Sequence, residues 1–250
     1  MPVVQVVVCQ DEVLVSEFAV ILAAAGQSSR FGDPFQKKVF TTVGGKPLWM
    51  HSAETFSKRS DVGQIILVIS AEDRELFNEK FAGHAAMLGI QTVTGGAQRA
   101  DSVRNALEAV KPNMQFVAVH DAARPCVPSQ DIESVFSTVR KTRAAILALP
   151  CFATVKRVDA EKRIKETVPR DGLWLAQTPQ CFELKLLLQC YAKSGNSSTA
   201  TDEASLVEQA GHSVTVVEGS PLNIKVTTKS DLKFAELALK ALPQPKPFPF

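Results

Sequence analysis

Several polar clusters in this sequence hold residues whose types and spacing can do chemistry, and most of them follow an apolar run. In "AVILAAAGQSSRFG" (19–32) a hydrophobic segment breaks at Gly26 into a loop that ends near Arg30. Glycine opens backbone conformations closed to other residues, and the exposed N–H groups of such a loop can face an anion with Arg30 beside it. A plain strand-to-helix turn fits the same residues. In "GGAQRADSVRNAL" Gly95 and Gly96 let a flat base or a sugar approach the backbone, and Ser102 sits near a helix start. A tight turn with an Asp or Ser cap is the simpler alternative. "VHDAARP" puts Asp121 and Arg124 where a strand runs out. The carboxylate suits a hydrated divalent cation or a sugar hydroxyl and the guanidinium suits phosphate, although an Asp–Arg pair that ties the loop down would look alike. "NIKVTT" carries Lys225, by default a surface lysine on a strand.

What these clusters lack narrows the chemistry. The first loop has neither the G-x-x-x-x-G-K-[ST] spacing of a P-loop nor the G-x-G-x-x-G of a dinucleotide fold. None of these clusters pairs a serine or cysteine nucleophile with a histidine base, and the 4 histidines, His120 included, read as structural. The 5 cysteines form no C-x-x-C pair; their odd number suits free thiols in a reducing cytosol, and no zinc site is supported.

Elements that alternate along the chain must position these residues. "FAVILAAAG", "QIILVIS", "IQTVTGG", "QFVAVHDAARP" and "AAILALPC" read as strands, the fourth with its loop. Between them "PLWMHSAETFSK", "EDRELFNEKFAG", "RADSVRNALEAV" and "SQDIESVFSTVRKT" read as helices. Continuous apolar strands separated by such helices pair in parallel with helices on both faces, which predicts a doubly wound α/β sheet. Ligands bind such sheets at the carboxyl ends of the strands, where the polar clusters fall. After the fifth strand, "TVKRV" and "RIKETV" flank the turn-like "DAEK" and predict a β-hairpin arm over about residues 152–175, a candidate for dimer contacts. "TDEASL" reads as a helix start with Thr201 as N-cap.

With 250 residues, 45% hydrophobic and 22% charged, the chain can bury a sizeable core. Its net charge of +2 is too small to argue for wrapping nucleic acid or coating an acidic membrane, and neither is expected as partner, while a local basic pocket stays open. Residues 1–17 read as an N-terminal extension without a basic n-region, 18–240 as one domain, and 241–250 as a Pro-rich tail. No apolar run reaches transmembrane length, and a cytoplasmic location is expected.

Taken together and in this order, the motifs "AAAGQSSRFG", "GGAQRADSV", "VHDAARP", "TPQ", "TDEAS" and "NIKVT" resemble those of the 2-C-methyl-D-erythritol 4-phosphate cytidylyltransferase family over nearly all of residues 18–240. The resemblance implies a Rossmann-like nucleotidyltransferase sheet with an inserted dimerisation arm. The implied reaction joins CTP to methylerythritol 4-phosphate, releasing pyrophosphate, with Mg2+ or another divalent cation as cofactor. It implies Arg30, Lys38 and Lys225 as catalytic cations. Lys38 is preferred to Lys37 because "KVF" runs directly into the next segment, which leaves Lys37 as a solvated neighbour. Ala24, Ala25, Gly26, Gly96, Ser102 and Ala122 would bind CTP. Asp121, also the metal residue, would meet the polyol with Arg124 and Thr201, while Thr154 and Arg170 would hold its phosphate across a homodimer interface. Competing readings are a cytidylyltransferase for another polyol phosphate, such as ribitol 5-phosphate, and a catalytically silent nucleotide-binding scaffold.

Overall fold

The segment FAVILA, Phe18–Ala23, forms strand β1 and is buried almost throughout, as a run without polar alternation must be when both faces of a sheet are covered. A computed structural model describes residues 16–26, 31, 37–194 and 200–243 of the chain; Arg30 and most of both terminal extensions lie outside them. After β1 come a small hairpin, β2 (Thr42–Val43) and β3 (Lys46–Pro47), helix α1 (Leu48–Ser57) and β4 (Val62–Ile69). Next are α2 (Arg74–Met87), β5 (Ile90–Thr94), α3 (Arg99–Glu108), β6 (Phe116–Asp121), α4 (Ser129–Thr142) and β7 (Ala144–Pro150). A second hairpin, β8 (Val155–Val158) and β9 (Ile164–Val168), precedes β10 (Trp174–Glu183), α5 (Leu184–Ser194), α6 (Glu203–Gln209), β11 (Thr215–Glu218) and α7 (Lys229–Ala241).

The main sheet has the order β11-β7-β10-β6-β1-β4-β5. β1 pairs in parallel with both β4 and β6, so the mostly parallel α/β sheet expected from the sequence is present. Its alternate residues feed different cores: Phe18, Val20 and Leu22 face the layer with α1, α2 and α4, whereas Ala19 and Ile21 face α3, α5 and α6. The α4 residues Ile132, Val135, Phe136 and Val139 recur at helical spacing and are fully buried. Phe136 stacks on Phe18 with ring centroids 3.7 Å apart, a contact worth roughly 1 kcal/mol beyond its area burial.

Sequence periodicity left β10 unassigned, and it runs antiparallel between β6 and β7. Pro179 interrupts its pattern, and its register with β7 shifts between Ala176 and Gln180. That irregularity brings Thr178 under Asp121, whose N–H donates to Thr178 Oγ1 at 3.0 Å. A third apolar cluster, including Phe31, Val43, Leu48, Val226 and Ala235, fastens α7 over the loop that carries Lys225. Among the described residues no helix is long and apolar enough to cross a membrane.

Candidate active site

Where β1, β5 and β6 end, their loops enclose a cleft of about 370 Å³. The β1 loop supplies Ala24, Ala25 and Gly26 to its lining, the turn before α3 supplies Gly96, and the first turn of α3 supplies Ser102. These two loops touch so closely that side chains are excluded. A Cβ on Gly95 would lie 2.6 Å from the Ala25 Cβ of the facing loop, and one on Gly96 would lie 2.4 Å from the Asp101 Cβ in the first turn of its own helix, α3. Gly96 N–H donates to Ser102 Oγ at 3.1 Å, and Ser102 Oγ donates to Gln98 O at 3.0 Å, so the buried hydroxyl fixes the glycine turn. Gly26 differs from the sequence expectation: its φ is not in the left-handed region, and an added Cβ would meet no atom of the other described residues within 4 Å. Its contribution to the cleft lining is its backbone.

The rest of the lining is cationic around one carboxylate. Lys38, Asp121 and Lys225 all line the cleft, joined by Arg99, which sequence reasoning had not singled out. Lys225 Nζ contacts Asp121 Oδ2 at 2.7 Å, Arg124 Nε lies 3.6 Å from the same oxygen, and Arg99 Nη2 lies 3.8 Å from Oδ1. Burial works to raise the Asp121 pKa, but Lys225 first, then Arg99 and Arg124, outweigh it and hold the carboxyl at about 2, below its ordinary 3.8. Asp121 is therefore an anion throughout the neutral range. Arg99 keeps its charge despite burial because Glu203 and Asp121 raise its pKa.

The two neighbouring lysines have different surroundings. Lys37 Nζ sits 2.8 Å from Asp73 Oδ2 and 3.5 Å from Glu72 Oε2, and donates to Ser70 Oγ at 2.8 Å. It is an anchor at the end of β4 rather than the solvated neighbour expected from sequence, while Lys38, at the start of a short 3-10 turn, faces the cleft.

Other expected site residues lie apart from the lining. Ala122 is fully buried and donates its N–H to Ala23 O at 3.1 Å; its neighbour Ala123 lines the cleft instead. Arg124 directs Nη1 to Asn223 O at 2.7 Å and Nη2 toward Ala176 O at 3.5 Å, tying the β6 loop to the segments behind it. Thr154 and Arg170 are exposed at the base of the β8–β9 arm, where Arg170 Nη1 donates to Phe152 O. Thr201 is not the N-cap of α6. Asp202 takes that role because its carboxylate accepts the Ser205 N–H at 3.0 Å, while Ser205 Oγ accepts from Asp202 N–H. Lys225 lies in an extended loop, not on a strand, held where Val226 N–H donates to Ala123 O at 2.8 Å.

His120 supports the site from beneath and, as expected, is structural. It is fully buried; Nε2 lies 3.1 Å from Arg124 O and Nδ1 lies 3.1 Å from Thr178 Oγ1. With the proton on Nε2, the ring donates to the carbonyl and accepts from the threonine hydroxyl, which itself accepts from Asp121 N–H. Burial drives the His120 pKa down to about 4 from its ordinary 6.5. The unfolded chain therefore binds the extra proton first, so stability is full above pH 6.5 and falls as the pH drops toward 4. The loss should approach about 3 kcal/mol, and His120→Asn should flatten this limb in urea melts taken across that range.

An α/β sheet that gathers a glycine-walled cleft, lysines and an arginine around one carboxylate at its carboxyl edge belongs to the nucleotide-binding class, built to hold an anionic ligand. Comparison with known proteins narrows the class. A family model described as 2-C-methyl-D-erythritol 4-phosphate cytidylyltransferase matches residues 18–241, and the chain belongs to that family of nucleotidyltransferases. The cytidylyltransferase of Rhodopirellula baltica is 41% identical over 232 residues, covering 88% of this chain and 94% of the relative. That of Bacillus velezensis is 40% identical over 90% of this chain and 97% of its own. The crystal structure of the Francisella tularensis enzyme superposes with a TM-score of 0.76 at 32% identity, covering 90% of this chain and 100% of that one. The Thermus thermophilus structure gives 0.75 at 31%, covering 90% and 99%.

Proposed function

We propose that the chain transfers CMP from CTP to 2-C-methyl-D-erythritol 4-phosphate, giving 4-diphosphocytidyl-2-C-methyl-D-erythritol and pyrophosphate. The observation that carries this reading is the convergence of Lys38 and Lys225 on a cleft whose lining also includes Gly26 and Gly96. In the reaction a phosphate monoester oxygen attacks the α-phosphorus of CTP in line. The new O–P bond forms as the α–β bridge bond breaks, and its electron pair leaves on pyrophosphate. Both reactants are anions, so catalysis is mainly charge neutralisation and positioning. Lys38 and, outside the described residues, Arg30 serve the triphosphate; Lys225 serves the reacting phosphate. Gly96 and Ser102, with the backbone from Ala24 to Gly26, receive cytosine and ribose.

The donor set fits a magnesium ion carried by the nucleotide. Among the described residues no group of three His, Cys, Asp or Glu forms a protein cage, and Asp121 offers the single carboxylate that such an ion takes in addition to phosphate oxygens. When bound, the ion would neutralise phosphate charge.

The arm supports a homodimer. A two-stranded hairpin is marginal by itself, and this one stands amid exposed apolar side chains, with Phe152 78%, Ile164 64% and Leu175 53% exposed. Thr154 and Arg170 line no part of their own chain's cleft, which suits service to a partner's substrate phosphate. Pyrophosphate release measured with CTP and a panel of polyol phosphates tests the function. Methylerythritol 4-phosphate should be turned over well above ribitol 5-phosphate; the reverse order reassigns the substrate, and no release with any polyol leaves a silent scaffold.

A further inference from the structure

Arg99 stands between two carboxylates and is held by the more distant in sequence. Its Nη1 donates to Glu203 Oε1 at 2.7 Å, while Nη2 stays 3.8 Å from Asp121 Oδ1, beyond hydrogen-bond reach. Asp121 Oδ2 is already engaged by Lys225 at 2.7 Å, so Oδ1 is the oxygen left for a ligand in the cleft. Glu203 is 1% exposed, and its two oxygens are unequally loaded. Oε1 accepts from both Arg99 and Tyr191 Oη, whereas Oε2 has no hydrogen-bond partner among the described residues. A buried carboxylate with an orphan oxygen is a net cost to folding that an apolar residue would avoid. Its position is nevertheless closely fixed. The first turn of α6 is pinned to β10 by Gln180, which accepts from Ala204 N–H at 3.0 Å and donates to Asp202 Oδ2 at 2.7 Å.

We infer that Glu203 is a positioning residue for the acceptor side of the cleft: by holding Arg99 away from Asp121, it keeps Asp121 Oδ1 open to a hydroxyl of the polyol phosphate. The inference rests on the proposed function. Without the Glu203 charge, Arg99 is one side-chain movement from a close ion pair with Asp121, which would occupy both carboxylate oxygens with protein cations.

Glu203→Gln keeps the shape of the side chain and an acceptor for Tyr191 while removing the charge. Its KM for methylerythritol 4-phosphate should rise about tenfold, with the KM for CTP and kcat changed less than about twofold. Adding Arg99→Met removes the competing cation, so the double variant should recover at least about threefold of the lost KM, a reversal of sign that simple damage to packing cannot produce. If Glu203→Gln fails to fold, Glu203→Asp retains the charge but withdraws it by one methylene, and should raise the same KM about twofold to threefold. A double variant no better than the single, a parallel rise in both KM values, or a change confined to the magnesium requirement overturns the inference. Wild-type protein that releases no pyrophosphate overturns the function and the inference together; an active wild type with an unaffected Glu203→Gln overturns the inference alone.

Discussion

Lys38→Ala should lower turnover by on the order of a hundredfold or more, while Lys37→Ala lowers it only a few-fold. Both residues are lysines on one loop, so composition alone cannot separate them; their partners do. Lys38 borders the cleft that would hold the triphosphate, where charge neutralised at the departing pyrophosphate is worth most in the transition state. Lys37 is turned to the other side, against Asp73, Glu72 and Ser70. Its loss should act indirectly, by loosening the loop that presents Lys38, and Lys37→Arg should restore most of the activity because the ion pair with Asp73 can re-form. Single-turnover pyrophosphate release at saturating CTP measures both. Greater damage from Lys37→Ala would mean that the loop turns over when the nucleotide binds and that the roles of the lysines are exchanged.

How far the sequence could be read depended on the range of the interactions involved. β1, β4, β6 and β7 announced themselves through largely apolar runs because strands covered on both faces have no polar phase to hide. β10 did not, since Pro179 breaks its pattern and its place between β6 and β7 is decided by tertiary packing. The cleft-lining Gly26, Gly96, Ser102, Asp121 and Lys225 stood in motifs at the ends of elements, whereas Ala24, Ala25 and Lys38 entered only through the family resemblance. Arg99 was in view inside "GGAQRADSV" but carried no weight, because the carboxylate that orients it lies 104 positions later. The cap of α6 was misread by one residue: threonine and aspartate both cap helices well, and only the position of Ser205 selects Asp202.

The second large effect concerns the arm. If Lys38 serves one subunit's cleft and Arg170 reaches it from the other subunit, Lys38→Ala and Arg170→Ala homodimers should each be nearly inactive at both of their sites. Mixed through denaturation and refolding, the two variants should recover activity. In a two-fold dimer each site would take Lys38 from one chain and Arg170 from its partner, so a hybrid collects both substitutions in one site and neither in the other. Equal mixing with random pairing makes about half of the dimers hybrid, each with one intact site, which sets the recovery at roughly a quarter of wild type. The structure makes the arrangement testable because Arg170 is exposed on the arm and absent from its own chain's cleft lining, so its loss should leave the fold of the subunit intact. Subunit exchange is verified with a tagged and an untagged chain. Exchange without recovery would assign Arg170 to its own subunit or remove it from the site, and the exposed apolar residues around the arm would then need another explanation.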